Sequence, residues 1–138
     1  MKILYQTTAT ATGGRDGTVR GGDSVLDLHL AIPKELGGPG GPVPNPEMLF
    51  AAGYAACFDS ALQHVARQKK LIPGLTQVQA TVGIGPGDSG GFALAVSLEV
   101  TIPELTREEA QVLLDAAHQV CPYSNAVRGN VTVELKLA

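Results

Sequence analysis

The chain has 138 residues, 44% hydrophobic and only 17% charged, with a net charge of −3, which is enough for one domain with its own core. The charge balance leaves no basic footprint for a nucleic acid, and no run reaches the ~18 apolar residues that cross a bilayer. The charged fraction falls below the ~25% of ordinary soluble domains, so part of the surface is expected to be hidden in a homo-oligomer.

Residues 2–12 alternate with small and β-branched types and read as a strand. The opening segment has one Lys and no continuous apolar run, unlike a signal peptide, so the expected location is cytoplasmic. Gly13-Gly14-Arg15-Asp16-Gly17 reads as a turn. A second clear strand covers 24–32, with Val25, Leu26, Leu28, Leu30 and Ile32 on its apolar side. The Gly- and Pro-rich stretch 37–44 excludes regular structure.

Asn45-Pro46-Glu47 is a helix start: a capping Asn, Pro at the first helical position, and a carboxylate at the positive end of the dipole. The helix is expected to run from Pro46 to Lys69. Its first half, MLFAAGYAACF, is apolar nearly all round and predicts full burial. Residues 76–85 and 91–102 read as paired strands. Thr106-Arg107-Glu108-Glu109 is a capping box opening a second helix. Pro122 ends or kinks that helix after Cys121, the PYSNA segment is placed to restart it, and 131–137 is a last strand. The order β-β, helix, β-β, helix, β gives an α+β domain spanning 1–138, with no βαβ fingerprint and no internal repeat.

The two cysteines sit in different settings. Cys57 is mid-helix among apolar residues, where a thiol is commonly an inert core group, and Cys121 is at a helix end. Their 64-residue separation excludes a CxxC redox motif, and the spacing of His64 and His118 fits no common zinc pattern. A peroxide-reducing thiol must be ionised, needs a nearby cation, and needs a second thiol to capture its sulfenic acid. Cys121 qualifies as the second thiol. The neighbours of Cys57 are neutral or acidic, so a cation must come from elsewhere, and Arg15 in its glycine turn is a candidate.

NPEMLFAAGYAACFDSAL (45–62), HQVCPYSNAVRGN (118–130), TATATGGRDG (8–17) and ELGGPGG (35–41) closely resemble the organic hydroperoxide resistance proteins of the OsmC superfamily, in order and over nearly the whole chain. Val127 departs from the Thr common in that group, at a position outside the chemistry. The resemblance implies an OsmC/Ohr-like fold: antiparallel sheets packed on a long central helix carrying Cys57, in an intertwined homodimer. It implies a thiol-dependent peroxidase acting on alkyl and lipid hydroperoxides. No bound cofactor is implied. The reductant is an external dithiol, dihydrolipoamide or a lipoylated protein. By motif position Cys57 is the peroxidatic cysteine, Cys121 the resolving one, Arg15 the catalytic arginine, and Glu47 the carboxylate that orients it.

Glu47 and Cys57 are ten residues apart, so on one straight helix they are separated by roughly 15 Å of rise. They do not share a site on such a helix: either the helix starts later, or the pair meets across a dimer. The low charge and the small-residue helix face favour the dimer, so composite sites are expected, with Arg15 and Glu47 of one chain serving Cys57 and Cys121 of the other. Leu49, Phe50, Tyr54 and Tyr123, with Phe58 and Val120, are the apolar residues nearest the cysteines; the first four are candidates for the substrate wall. His118, three residues before Cys121, is placed to touch it. Asp59 and Arg128 read as structural. The alternatives are a thiol redox sensor without turnover and a carrier of small apolar ligands.

Overall fold

The computed structural model describes all 138 residues in two units, Met1–Leu49 and Phe50–Ala138. In the first, β1 (Ala9–Thr12), β2 (Thr18–Gly21) and β3 (Leu26–His29) form an antiparallel meander. Thr12 faces Thr18 across the first turn, and Thr18 faces His29 across the second pair. The strand expected over 2–12 is confined to its last four residues, because only those find a partner in β2. The short strand β2 escapes the sequence pattern: four residues ending in Gly21 hold too little periodicity, and pairing on both edges makes them a strand. Gly17 closes the first turn. A β-carbon there would lie 1.8 Å from the Thr12 carbonyl oxygen, so only glycine fits.

This sheet has no buried face. Leu30, just after β3, is the one buried residue of the unit. The Gly- and Pro-rich loop folds back on itself, with the Gly40 N–H donating to the Ile32 carbonyl and the Ala31 N–H to that of Pro44. That closure delivers the chain to Asn45, whose Oδ1 accepts the Met48 N–H at 2.8 Å and starts α1 (Pro46–Lys69).

The second unit contains the core. Strands β4 (Gln77–Pro86) and β5 (Phe92–Thr101) pair antiparallel along all ten residues, from Gln77 opposite Thr101 to Pro86 opposite Phe92. Helices α2 (Arg107–Val120) and α3 (Pro122–Val127) follow, then β6 (Val133–Leu137). The antiparallel pair β4–β5 is joined by one parallel neighbour: β6 pairs with β5 in parallel, Val96 opposite Val133. Two intervening helices carry the chain back to the same end of the sheet, and a connection of that length makes a parallel pair. No helix is long and apolar enough to cross a membrane.

Tyr54, Phe58, Ala61, Leu62, Val65 and Ala66 recur at helical spacing and form the buried stripe of α1. They pack in one cluster with Val96, Leu98 and Val100 of β5 and Leu113, Leu114 and Ala117 of α2. The all-round burial expected for the first half of α1 is not met. Met48 is 54% exposed, and Ala52 and Ala56 are exposed too, because one chain covers one face only.

α2 begins with the anticipated capping box. The Glu109 N–H donates to Thr106 Oγ1 at 3.3 Å, and the Thr106 N–H donates to Glu109 Oε2 at 3.0 Å. Thr106→Ala removes one half of that exchange and is expected to cost about 1 kcal/mol, read as a fall in Tm of roughly 4 °C, without changing the helix content of the folded protein.

Candidate active site

Cys57 lies on α1, three residues after the buried Tyr54. Cys121 lies at the junction of α2 and α3, with φ −62° and ψ 122°. That extended conformation is the one Pro122 imposes on the residue before it, and it turns the chain between two helices. The sulfurs are 3.8 Å apart, with the Cys121 thiol donating towards Cys57 Sγ, and both thiols are free. Their surroundings differ: Cys121 is 0% exposed, and Cys57 is half-buried.

Burial pushes the Cys57 thiol above its ordinary value, and the neighbouring Cys121 adds to the shift. The backbone N–H of Tyr123, in the first turn of α3, opposes it. No cation of the second unit acts on Cys57. The thiolate is therefore disfavoured by this unit's own residues, and a positive charge is what the site lacks.

A buried hydrogen-bonded chain runs beside the cysteines. Tyr54 Oη and Ser124 Oγ are 2.8 Å apart, and His118 Nδ1 is 2.9 Å from the same Ser124 Oγ. The sequence reading missed Ser124, since a Ser in a PYS segment looks like any turn serine; only its burial reveals it. His118, placed by its spacing to touch Cys121, bonds Ser124 through Nδ1, and its ring packs 6.4 Å from that of Phe58. Burial, with help from Arg128, lowers the His118 pKa below its usual value, so the ring is neutral at pH 7. Arg128 itself donates to the His118 carbonyl and to Asn125 Oδ1. Asp59 accepts from Thr76 Oγ1. His64 is exposed.

The apolar candidates separate by depth. Tyr54 is fully buried; Phe50 is half-buried and Tyr123 is 39% exposed. Their rings form one group, Phe50 to Tyr54 at 6.1 Å, Phe50 to Tyr123 at 6.2 Å and Tyr54 to Tyr123 at 5.7 Å. Gly53 makes room for it: a β-carbon there would lie 2.8 Å from Tyr123 Oη. Leu49, the last residue of the first unit, is half-buried. No cluster of three or more His, Cys, Asp or Glu side chains is arranged for a metal.

In the first unit a 3-10 turn over Gly14–Asp16, between β1 and β2, presents Arg15. Its Nη1 donates to Glu47 Oε2 at 2.8 Å and its Nη2 to Oε1 at 2.5 Å, a bidentate pair. Glu47 sits in the first turn of α1, next to Pro46. The guanidinium beside it holds the Glu47 carboxyl below its ordinary value of 4.5. The structure thus makes two pairs of the four predicted site residues, Arg15 with Glu47 and Cys57 with Cys121. Since the folded-state pKa of Glu47 is depressed, the pair contributes in full above the ordinary carboxylate value. Its contribution is lost as pH falls through the lowered one. Glu47→Gln is expected to lower stability at pH 7 by about 0.5 kcal/mol, a small figure because the guanidinium is partly solvated. Thermal melts of variant and wild type should converge as the pH drops below 4.5.

The OsmC-like protein family matches residues 38–136 of the chain. The organic hydroperoxide resistance protein of Xanthomonas axonopodis pv. citri is 54% identical over 138 residues, covering 99% of this chain and 96% of the relative. The organic hydroperoxide resistance protein OhrB of Bacillus subtilis is 45% identical over 137 residues, covering 97% and 98%. The crystal structure of an organic hydroperoxide resistance protein from Elizabethkingia anophelis, 55% identical, superposes with a TM-score of 0.95 over 100% of this chain and 99% of that one. With that likeness running through sequence and fold together, the chain belongs to the organic hydroperoxide resistance proteins of the OsmC-like family.

Proposed function

We propose that the protein detoxifies organic hydroperoxides as a thiol-dependent peroxidase, reducing alkyl and lipid hydroperoxides to alcohols. The observation that carries this reading is the 3.8 Å approach of two free thiols, one half-exposed and one buried. The names of its relatives favour the same substrate class.

The Cys57 thiolate attacks the outer peroxide oxygen. The O–O bond breaks, and the alkoxide leaves and takes a proton to become the alcohol. The resulting Cys57 sulfenic acid condenses with the Cys121 thiol, releasing water and forming a disulfide. An external dithiol, dihydrolipoamide or a lipoylated protein, then reduces that disulfide by exchange. No resident cofactor is needed. Arg15 supplies the charge that Cys57 lacks in its own unit, as a fixed fork that holds the thiolate and the peroxide oxygens. Glu47 pre-positions that fork. Phe50 and Tyr123 offer an apolar edge for the alkyl group, with Tyr54 buried beside them and Leu49 as a further candidate.

The working unit in this reading is an intertwined homodimer in the cytoplasm, with Arg15 and Glu47 of one chain serving Cys57 and Cys121 of the other. Support comes from what a single chain leaves uncovered. A three-stranded sheet without a buried face is not stable in water unaided, and β1–β3 is one; Met48, Ala52 and Ala56 expose a second apolar surface on α1.

Turnover tests the chemistry. Dithiol-dependent consumption of tert-butyl hydroperoxide should far exceed that of hydrogen peroxide. Cys57→Ser should abolish it, and Cys121→Ser should allow one turnover before over-oxidation; absence of turnover with any dithiol would overturn the reading. Complementation tests the composite site. Arg15→Ala and Cys57→Ser chains, each inactive alone, should regain about a quarter of wild-type activity when dissociated and reassociated in equal amounts. Half the dimers are then mixed, and each has one intact site of two. No recovery would place each site within one chain.

A further inference from the structure

The two sulfurs differ in access, and that difference decides where electrons re-enter. We infer that the reducing dithiol attacks the Cys57 sulfur of the oxidised pair and expels Cys121, so that the mixed disulfide forms on the peroxidatic cysteine; this rests on the peroxidase reading above. Exchange at a disulfide is a displacement in which the attacking, central and leaving sulfurs lie nearly in line. Which sulfur is attacked therefore depends on which can be approached from the side opposite its partner.

For Cys121 that side is the protein interior. The residue is 0% exposed and belongs to the same buried cluster as Phe58, Leu114, Ala117 and Val127. The buried Ser124, in α3, is locked between Tyr54 and His118. Association with another chain can only bury these groups further. For Cys57 the surroundings are open. Cys57 itself is half-buried, and Ser60, one turn further along α1, is small and exposed. The peroxidase reading already requires a hydroperoxide to reach this sulfur from outside, and a thiol can follow the same path, whereas Cys121 is 0% exposed.

One thiolate of the dithiol bonds to Cys57 Sγ, the Cys57–Cys121 bond breaks, and Cys121 leaves with the electron pair and takes a proton. The second thiol of the reductant attacks its own sulfur in the mixed disulfide. That expels the Cys57 thiolate and leaves the reductant as a cyclic disulfide. Two electrons pass to the protein, and hydroperoxide and reductant use one entrance in turn.

The test starts from wild-type protein oxidised with one equivalent of tert-butyl hydroperoxide and shown to have lost both thiols. It is exposed briefly to 2-mercaptoethanol, a monothiol whose mixed disulfide has no second thiol of its own to resolve it, so that only a slower attack by another molecule does. Samples are quenched in acid, unfolded and alkylated, and the two cysteine peptides are read by mass spectrometry. Mercaptoethanol on Cys57 with alkylated Cys121 should exceed the reverse by at least roughly tenfold. A parallel measurement avoids dependence on trapping yield. Single-cysteine variants are unfolded, loaded with thionitrobenzoate and refolded. Dihydrolipoamide should then release the chromophore from Cys57 of the Cys121→Ser variant at least roughly tenfold faster than from Cys121 of the Cys57→Ser variant. An equal or reversed distribution in either measurement overturns the inference while leaving the peroxidase reading in place. Failure of the disulfide to form in the first step overturns both.

Discussion

The buried bond between Tyr54 Oη and Ser124 Oγ, 2.8 Å long, holds α1 against α3. Each cysteine stands three residues from one end of it, Cys57 after Tyr54 and Cys121 before Ser124. Three residues is close to one helical turn, so the bond sets the distance between the two sulfurs. Both hydroxyls are removed from water, and an unpaired one would cost about 1–3 kcal/mol. His118 gives Ser124 Oγ a second partner, and no buried side-chain polar atom is left without one. A polar chain satisfied at every member fixes one arrangement of the helices, which an apolar contact of the same size leaves freer to slide.

Around that bond the two thiols acquire unequal surroundings. Cys121 is enclosed because Pro122 turns the chain inward at the α2–α3 junction, and the crossover to β6 draws α2 and α3 over the core. Cys57 stays half-open because α1 buries the stripe through Tyr54, Phe58 and Leu62 and leaves the opposite side to small residues. A nucleophile must be reached by its substrate, whereas a resolving thiol needs only to be reached by the nucleophile. The asymmetry of burial supports the roles proposed for Cys57 and Cys121.

The electrostatics are arranged in the same economical way. Desolvation raises the cost of the Cys57 thiolate, and a single peptide N–H opposes it from the second unit. A bidentate guanidinium–carboxylate pair is assembled independently in the first unit, on a glycine-bounded turn and the first turn of α1. In the proposed mechanism the carboxylate serves position more than charge, because the guanidinium is ionised at any physiological pH.

Much of this was legible in the sequence by itself. Asn45 and Pro46 marked the start of α1, and the helix ends at Lys69 as the pattern indicates. The Thr106 capping box and the break at Pro122 were likewise readable, because caps and prolines act through their own backbone within a few residues. The motifs around Arg15, Glu47, Cys57 and Cys121 singled out the four residues that the fold joins in two pairs. Tertiary structure alone decided the rest. β2 is a strand because β1 and β3 flank it, and β6 runs parallel to β5 because two helices return it to the same edge. Ser124 became the hinge of the site because two other elements enclose it. Each of these depends on a partner far away in the chain, and a local pattern of residues holds no record of what packs against it.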